Sequence, residues 1–373
     1  MSTNPRIYLD FNATAPLGAP ARVAMAQAMA DSGNPSSIHA EGRRARDHVE
    51  RARDQVARLV GRPREQVVFT SGGTEGNALG VLGLAAVVER RGGPRVVAAA
   101  AIDHPSLRGA VAALVARGWQ LRPIGVTAAG SLEIGSLAGT GLVAIAAVNH
   151  ELGTIADPRV LVEARAAGAL VHVDAVQAAG KIPLSSIDAD ALVISAHKLG
   201  GPQGVGAVAI AVDDGLPLVE AGHQERGRRP GTENTLGIVG FGAAAADIDL
   251  ASWPQVAALG DRLEAGLGAI AGIRIHGAGT SRIGGTINAG FGGARGESIV
   301  IALDLAGIAV STGAACTSGS VQPSPVLLGL GLSPDEAREA VRFSLGRTTT
   351  GSEIDAVLER LPAIVARARA HRA

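Results

Sequence analysis

The amino-acid sequence predicts an α/β fold, in which a large domain with a mainly parallel sheet and helices on both faces precedes a smaller α+β domain. The first observation is that short apolar runs alternate with helix-like stretches between residues 67 and 212. Nearly uninterrupted apolar runs are typical of strands buried on both faces of a parallel sheet. The second is that this alternation changes after about residue 270. The third is the length of 373 residues, which suits two domains and a large core.

The strands of the large domain are predicted from runs rich in β-branched residues. These runs are residues 67–70, 96–102, 143–148, 170–173, 192–194 and 205–212. Segments with helical periodicity lie between several of them, at 77–90 and 158–167. Strands that alternate with crossover helices predict a parallel sheet. A helical stretch from about 234 to 270, with a break near Trp253-Pro254, leads out of this domain.

The smaller domain is predicted from a different order of elements. Strand-like segments at 273–276 and 284–291 precede a helix near 297–306 and a loop around Cys316. A strand at 341–345 and a terminal helix complete the chain.

We expect the N-terminal segment to join the smaller domain. Residues 15–255 would then form the large domain, and residues 1–14 together with 256–373 would form the small one, which carries the cysteine loop. The sequence contains no internal repeat and no low-complexity linker.

The composition excludes several classes of protein and several kinds of functional site. The formal net charge is +0, with 34 basic and 34 acidic residues, so nothing indicates nucleic-acid binding. No uninterrupted apolar stretch is long enough to span a membrane, and the N-terminus lacks a targeting pattern, so we expect a cytoplasmic protein. The one cysteine, Cys316, excludes an intramolecular disulfide and a thiolate-cluster metal site, and we predict no metal. The two lysines, Lys181 and Lys198, are the only candidates for lysine chemistry.

A phosphate-type loop is the first motif. Thr70-Ser71-Gly72-Gly73-Thr74-Glu75 follows a predicted strand and opens a helix. Small residues such as Gly73 and Thr74 let backbone N–H groups approach an anion, which the helix N-terminus favours. An ordinary helix cap is the alternative.

Two further motifs follow predicted strands, where ligands bind in open α/β sheets. Asp174, with Gln177 three residues later, can keep a pyridine nitrogen protonated. Lys198, in the motif with Ser195 and His197, can form a Schiff base. The alternatives are a helix cap for Asp174 and a solvated loop cation for Lys198. Lys181 suits that solvated role better.

Cys316 lies in a run of small, mostly polar residues, 311–320. A buried structural cysteine usually has larger apolar neighbours, so this setting favours an exposed loop with a reachable thiol, as a nucleophile requires. An incidental cysteine is the alternative.

Three more residues are candidates for the site. Arg342 alternates with apolar residues on a predicted strand, and its guanidinium can bind a carboxylate bidentately, although a surface arginine is the commoner explanation of such a pattern. His104 follows a strand and can stack on a ring or move protons, or can be a turn histidine. Asn149 and its neighbours follow another strand and allow the same two interpretations.

The order of these motifs resembles that of the cysteine desulfurases, which are pyridoxal-phosphate (PLP) enzymes of fold type I grouped with the class V aminotransferases. The resemblance covers nearly the whole chain and extends over Tyr8-Leu9-Asp10, the segments 33–39, 224–227 and 229–234, and the strand and turn at 342–347. The small-residue loop that ends in Ala-Cys-Thr-Ser resembles that of the NifS/IscS-type group. The chain departs from the family pattern at Phe11, Ala15, His150, Gln203 and His223.

The resemblance implies a PLP site. Lys198 would bind the cofactor covalently, Asp174 would pair with its pyridinium nitrogen and Gln177 would donate to its phenolic oxygen. His104 would stack over the ring. The phosphate would be held by Thr74, Ser195 and His197, and by Thr232 from the neighbouring subunit of a homodimer.

The resemblance also implies the reaction. Arg342, helped by Asn149 or its neighbour, would hold the carboxylate of L-cysteine. Lys198 would move the α-proton, and Cys316 would accept the sulfur as a persulfide while L-alanine leaves. A sulfur-acceptor protein would then receive the sulfur for iron–sulfur cluster or thio-cofactor assembly.

Two other functions remain open from the sequence. A selenocysteine lyase or a class V aminotransferase would not need Cys316. A non-catalytic binding subunit would be expected to lose the lysine, whereas Lys198, Asp174 and Cys316 are all present.

Overall fold

An eight-stranded sheet forms the centre of the larger part of the protein. The computed structural model describes residues 6–212, 217–313 and 322–370. The strands of these residues are β1 (Ile7–Tyr8), β2 (Val67–Thr70), β3 (Val96–Ala100), β4 (Gln120–Val126), β5 (Leu132–Glu133), β6 (Leu142–Ala146), β7 (Leu170–Asp174), β8 (Ala191–Ser195), β9 (Gly206–Ile210), β10 (Ile273–His276), β11 (Thr286–Phe291), β12 (Ile308–Ala309) and β13 (Ala340–Ser344).

The large sheet has the strand order β2-β9-β8-β7-β6-β3-β4-β5. Neighbouring strands from β8 to β4 run parallel. Only the margins differ, because β9 runs antiparallel to β2 and β8, and β5 runs antiparallel to β4. The predicted mainly parallel sheet is therefore confirmed.

Helices cover both faces of this sheet. The helices are α1 (Ala19–Ala28), α2 (Ala40–Val60), α3 (Gly73–Arg90), α4 (Pro105–Ala116), α5 (Arg159–Ala166), α6 (Thr235–Ala246), α7 (Trp253–Gly268), α8 (Gly296–Leu305), α9 (Pro325–Gly329), α10 (Pro334–Arg338) and α11 (Gly351–Ala370). Successive strand side chains point to opposite faces. Leu142 of β6 accordingly packs into a cluster with α3 and α4, and Val143 packs into a second cluster with α2 and α6.

The hydrophobic pattern did not predict β4. This strand lies near the sheet margin, is largely exposed and contains Pro123, so it lacks the apolar run that identifies the buried strands. It is a strand because it pairs with β3 and β5.

A second sheet contains β10, β11 and β13 in antiparallel order. α11 packs on α7 and α8 beside it. The N-terminal segment lies in the same part of the molecule, because β1 pairs with β12 in parallel through Ile7 and Ile308. The exact domain boundaries at residues 14/15 and 255/256 stay a prediction.

The predicted break between two helices is confirmed. α6 ends at Ala246, and α7 begins at Trp253 with Pro254 in its first turn, where a proline loses no helical hydrogen bond. No single helix within the described ranges is long and apolar enough to cross a membrane; only the pair of α6 with residues 250–268, bent by 60°, reaches the required length and composition together.

The carboxyl ends of the parallel strands open on one side of the large sheet. The loops after β3, β6, β7 and β8 and the N-terminus of α3 all reach this side. The segment after β1 and the strand β13 approach it from the other part of the protein. Polar side chains from distant parts of the sequence therefore meet there.

Candidate active site

A cavity of about 600 Å³ lies at the carboxyl ends of the parallel strands. Its size is within the range of about 300–1,000 Å³ that is usual for small-molecule sites. Most of the predicted site residues line it, namely Gly73, Thr74, His104, Asp174, Gln177, Ser195, His197, Lys198 and Arg342.

One end of the cavity has the properties of an anion site. α3 begins at Gly73, and its N-cap residue, Gly72, provides no side-chain cap, so the ordinary-cap alternative does not apply. The hydroxyl of Ser195 is buried beside it without a hydrogen-bond partner among the described residues. A Cβ atom at Gly73 would come within 2.9 Å of Val176 Cγ2, so only glycine fits there without displacing a neighbour. Free backbone N–H groups and an unpartnered hydroxyl are suited to a phosphate.

His197 lines the same cavity. Its Nδ1 lies 3.3 Å from Thr14 Oγ1. Burial, followed by the charge of Lys198, lowers the pKa of His197 to about 4. The ring is therefore neutral near pH 7 and offers one N–H to a ligand.

A buried network holds Asp174. Asn77 Nδ2 donates to Asp174 Oδ2 at 2.7 Å and to Ser106 Oγ at 2.9 Å, and the Val176 N–H donates to Asp174 Oδ1 at 3.0 Å. His172 Nε2 lies 2.9 Å from Asn77 Oδ1. Burial lowers the pKa of His172 to about 3, so the neutral ring donates to that oxygen and fixes the orientation of the Asn77 amide.

Asn77 and His172 were not predicted from the sequence. Both are fully buried. The signal was an asparagine at the start of the long apolar stretch of α3, four residues after Gly73 and hence on the same helix face. A buried amide needs partners, and here it finds the carboxylate of Asp174.

Lys198 follows β8 in a short 3-10 helix. Its Nζ donates to the backbone oxygens of Asn12 at 2.6 Å and Ala13 at 2.8 Å. Burial, followed by the positive charge of Arg342, lowers the pKa of Lys198 from 10.5 to about 8, against the opposing charges of Asp10 and Asp174. A neutral amine is thus accessible near neutral pH, which a nucleophilic lysine requires.

The prediction of Lys181 as a solvated loop cation is wrong. Its Nζ donates to Asn12 Oδ1 and to Gln177 Oε1, both at 3.0 Å, and lies 5.5 Å from the centre of the Trp253 ring. Burial lowers the pKa of Lys181 to about 7, and the charges of Lys198 and Arg342 add to this effect. Gln177 lies only four residues away, but Asn12 and Trp253 are remote in sequence, so the residues around Lys181 gave no sign of this environment.

The two lysines give a direct prediction for the chain without cofactor. In protein labelled with [ε-¹³C]lysine, we expect two resonances that titrate near pH 8 for Lys198 and near pH 7 for Lys181. Both pKa values lie below the lysine pKa of roughly 10.4 in an unfolded chain. Between pH 7 and 10 the unfolded state therefore binds more protons than the folded state, so the free energy of unfolding rises with pH over this range. Lys198→Ala assigns the resonances, and the urea-unfolded chain is the control. Two midpoints near pH 10 in the folded protein would contradict the described burial.

Two histidine rings meet at the side of the cavity. His104 caps α4 through its Nδ1, which accepts from the Ser106 N–H at 3.2 Å. Its ring centre lies 5.0 Å from that of His150, at an interplanar angle of 79°. Burial lowers the pKa of His104, with Lys198 and Arg342 adding to the effect and Asp174 opposing it. Burial, followed by the charge of His104, lowers the pKa of His150 well below its usual value. Both rings are thus suited to contact an aromatic ligand in their neutral form.

Asn149, predicted to contact the substrate, does not line the cavity. Its Nδ2 donates to the Ile102 oxygen at 2.9 Å, and its Oδ1 accepts from the N–H groups of Glu151 and Leu152, both at 3.0 Å. The amide is thus engaged in holding the loop after β6. The neighbouring His150 and Glu151 line the cavity instead.

Arg342 reaches the cavity from β13 and is buried, not a surface arginine. One terminal nitrogen donates to Asp10 Oδ1 at 2.8 Å and the other to the His150 oxygen at 3.1 Å. Its Nε has no hydrogen-bond partner among the described residues. The guanidinium is therefore held in place and retains a donor.

Two predicted residues, Thr232 and Cys316, remain. Thr232 is exposed and does not line the cavity, although Arg229 of the same loop pairs with Glu75 in the first turn of α3 at 2.8 Å. Cys316 lies outside the described residues. Gly313 and Gln322, the described residues on either side of it, both line the cavity.

The chain is similar to known proteins over nearly its whole length. Residues 7–357 match the family model of the class-V aminotransferases. The chain is 40% identical to cysteine desulfurase 2 of Trichormus variabilis, over 98% of this chain and 94% of that protein. It is 39% identical to a cysteine desulfurase of Enterobacter agglomerans, over 97% and 93%. Among solved structures, a NifS-like protein superposes with a TM-score of 0.87 at 31% identity, over 97% of this chain and 100% of that chain. The family resemblance predicted from the sequence is confirmed, and the chain belongs to the class-V aminotransferases.

Proposed function

We propose that this protein is a PLP-dependent cysteine desulfurase, which converts L-cysteine and the Cys316 thiol into L-alanine and a Cys316 persulfide. The observation that carries the proposal is the cavity that brings together Lys198, the buried carboxylate of Asp174 and the unpartnered hydroxyl of Ser195 at the uncapped N-terminus of α3. The names of the relatives support the reaction.

The described residues fit PLP. The N-terminus of α3, with Thr74, Ser195 and His197, would hold the phosphate, and Lys198 would bind the cofactor covalently. Asp174 would face the pyridine nitrogen, Gln177 the phenolic oxygen and His104 the ring. When bound, the cofactor supplies an electron-withdrawing ring that takes up charge from the substrate α-carbon.

Lys198 serves as the base in this proposal. Its lowered pKa leaves a substantial neutral fraction near pH 8, so its Nζ accepts the α-proton of the substrate and later returns a proton. Asp174, fixed by Asn77, remains oriented throughout.

Arg342 binds the substrate carboxylate. Its Nε–H has no hydrogen-bond acceptor among the described residues, and a substrate carboxylate would supply one. The residue that helps Arg342 is His150, the neighbour of Asn149, because its backbone oxygen already accepts a hydrogen bond from the guanidinium.

Cys316 accepts the sulfur. Its thiolate attacks the sulfur of the substrate, the carbon–sulfur bond breaks, and a proton completes the methyl group of alanine. The placement of Gly313 and Gln322 at the cavity supports this role. The single cysteine of the chain leaves no other thiol of its own for the step.

The wider setting belongs to the same proposal. The protein acts as a cytoplasmic homodimer, in which Thr232 reaches the phosphate of the neighbouring site. An acceptor protein takes the persulfide sulfur for iron–sulfur cluster or thio-cofactor assembly.

The proposal is tested by product analysis. With L-cysteine and dithiothreitol, the wild-type holoenzyme should release alanine and sulfide in equal amounts, because each turnover breaks one carbon–sulfur bond. A keto acid formed from L-cysteine together with an aminated cofactor would indicate an aminotransferase instead. Release of neither alanine nor sulfide would contradict the proposed function.

A further inference from the structure

Lys181 lies next to the proposed cofactor site, yet the proposed reaction gives it no role. It does not line the large cavity, so it cannot touch a ligand there directly. Its Nζ is instead committed to two buried side chains, Gln177 and Asn12, through hydrogen bonds of 3.0 Å. Among the described residues, the hydrogen bonds of Lys181 therefore reach the cavity through these two residues.

The first connection fixes the Gln177 amide. A lysine Nζ in either protonation state can donate to two oxygens, and both partners of Lys181 present an oxygen to it. With Oε1 facing Lys181, Gln177 Nε2 faces the other way and donates to the Asn12 oxygen at 3.0 Å. The second hydrogen of Nε2 remains for a ligand, and Gln177 lines the cavity.

The second connection fixes Asn12. Its side-chain oxygen accepts from Lys181, and its Nδ2 donates to the His150 oxygen at 3.2 Å and to Thr286 Oγ1 at 3.1 Å. Its backbone oxygen accepts from Lys198 Nζ. Lys181 thus holds both Gln177 and Asn12, the residue whose backbone oxygen accepts a hydrogen bond from Lys198.

We propose that Lys181 is a positioning residue for the cofactor, which holds the Gln177 amide with its N–H groups directed at Asn12 and the cavity. This inference rests on the proposed function, since it takes the ligand of the cavity to be PLP. Without Lys181, Gln177 Oε1 and Asn12 Oδ1 would be buried without a donor, and both side chains would lose their fixed orientation.

A double-mutant cycle on PLP affinity tests this role. The four proteins are wild type, Lys181→Met, Gln177→Leu and the double variant, each freed of cofactor as the full chain and titrated with PLP. Methionine keeps the aliphatic stem beside Trp253 and removes the donors. We expect each single variant to bind PLP about tenfold more weakly, as for a lost hydrogen bond. The double variant should bind within about threefold of the weaker single one, because the two residues act as one unit.

The controls separate positioning from a general effect on folding. Arg262→Met removes an exposed cation paired with Asp355 and should leave PLP affinity unchanged. If Lys181→Met does not fold, Lys181→Gln replaces it in the same cycle with the same criterion. Additive losses, near hundredfold in the double variant, would overturn the positioning role, as would unchanged affinity in the lysine variant.

The cycle does not depend on turnover, so its result is distinct from that of the product assay. Coupled losses in a protein that releases no sulfide would support the positioning of the cofactor and contradict the desulfurase. Additive losses in an active desulfurase would overturn the positioning role alone. A wild-type chain that does not bind PLP would overturn both.

Discussion

Cys316→Ser is expected to release neither alanine nor sulfide from L-cysteine in the presence of dithiothreitol. The thiolate is the nucleophile that attacks the substrate sulfur. A serine hydroxyl stays protonated near neutral pH and is a poor nucleophile towards sulfur. The chain has no second cysteine that could replace it. Both products are measured over time at equal enzyme concentrations, with bound PLP measured by its absorbance.

The matched control is Ser318→Ala, which changes a polar residue two positions away and leaves the thiol in place. It should retain alanine and sulfide release. Full activity in Cys316→Ser would show that Cys316 is not the acceptor, and would favour the lyase function in which sulfur leaves without a persulfide.

Lys198→Ala is expected to lower the turnover number by on the order of 10³-fold, the scale of a lost general base. The variant also loses covalent attachment of PLP, so the absorbance of lysine-bound cofactor should be absent from the purified protein. Lys181 cannot replace Lys198, because its Nζ is held by Asn12 and Gln177 and Lys181 does not line the cavity.

Lys198→Arg distinguishes the amine from its charge. Arginine keeps the positive charge but stays protonated in proteins, so it supplies neither a nucleophile nor a base. We expect it to be as inactive as the alanine variant. Retained lysine-type absorbance or near-normal turnover in either variant would contradict the assignment of Lys198.

The unexpected surroundings of Lys181 and Asn149 have a common cause. Lys181 lies four residues after Gln177 and Asn149 follows β6, but each side chain also contacts a partner from a distant part of the chain. Lys181 contacts Asn12, 169 positions away, and Asn149 contacts the Ile102 oxygen, 47 positions away. Sequence neighbours indicate that a residue is near a site, but they do not indicate the direction of its side chain.

The sequence by itself determined the parallel core and the chemistry-bearing residues at its strand ends. Buried strands such as β7 and β8 are mostly apolar, Asp174 ends β7 and Lys198 lies three residues after β8, so both features are local patterns. Only the tertiary structure decided which side chains meet. The strands β1 and β12 pair across about 300 positions, β4 is a strand through its pairing with β3, and Asn77 and His172 join Asp174 in one buried network. Hydrogen bonds and burial act between groups that are close in space, and that closeness arises only when the chain is folded.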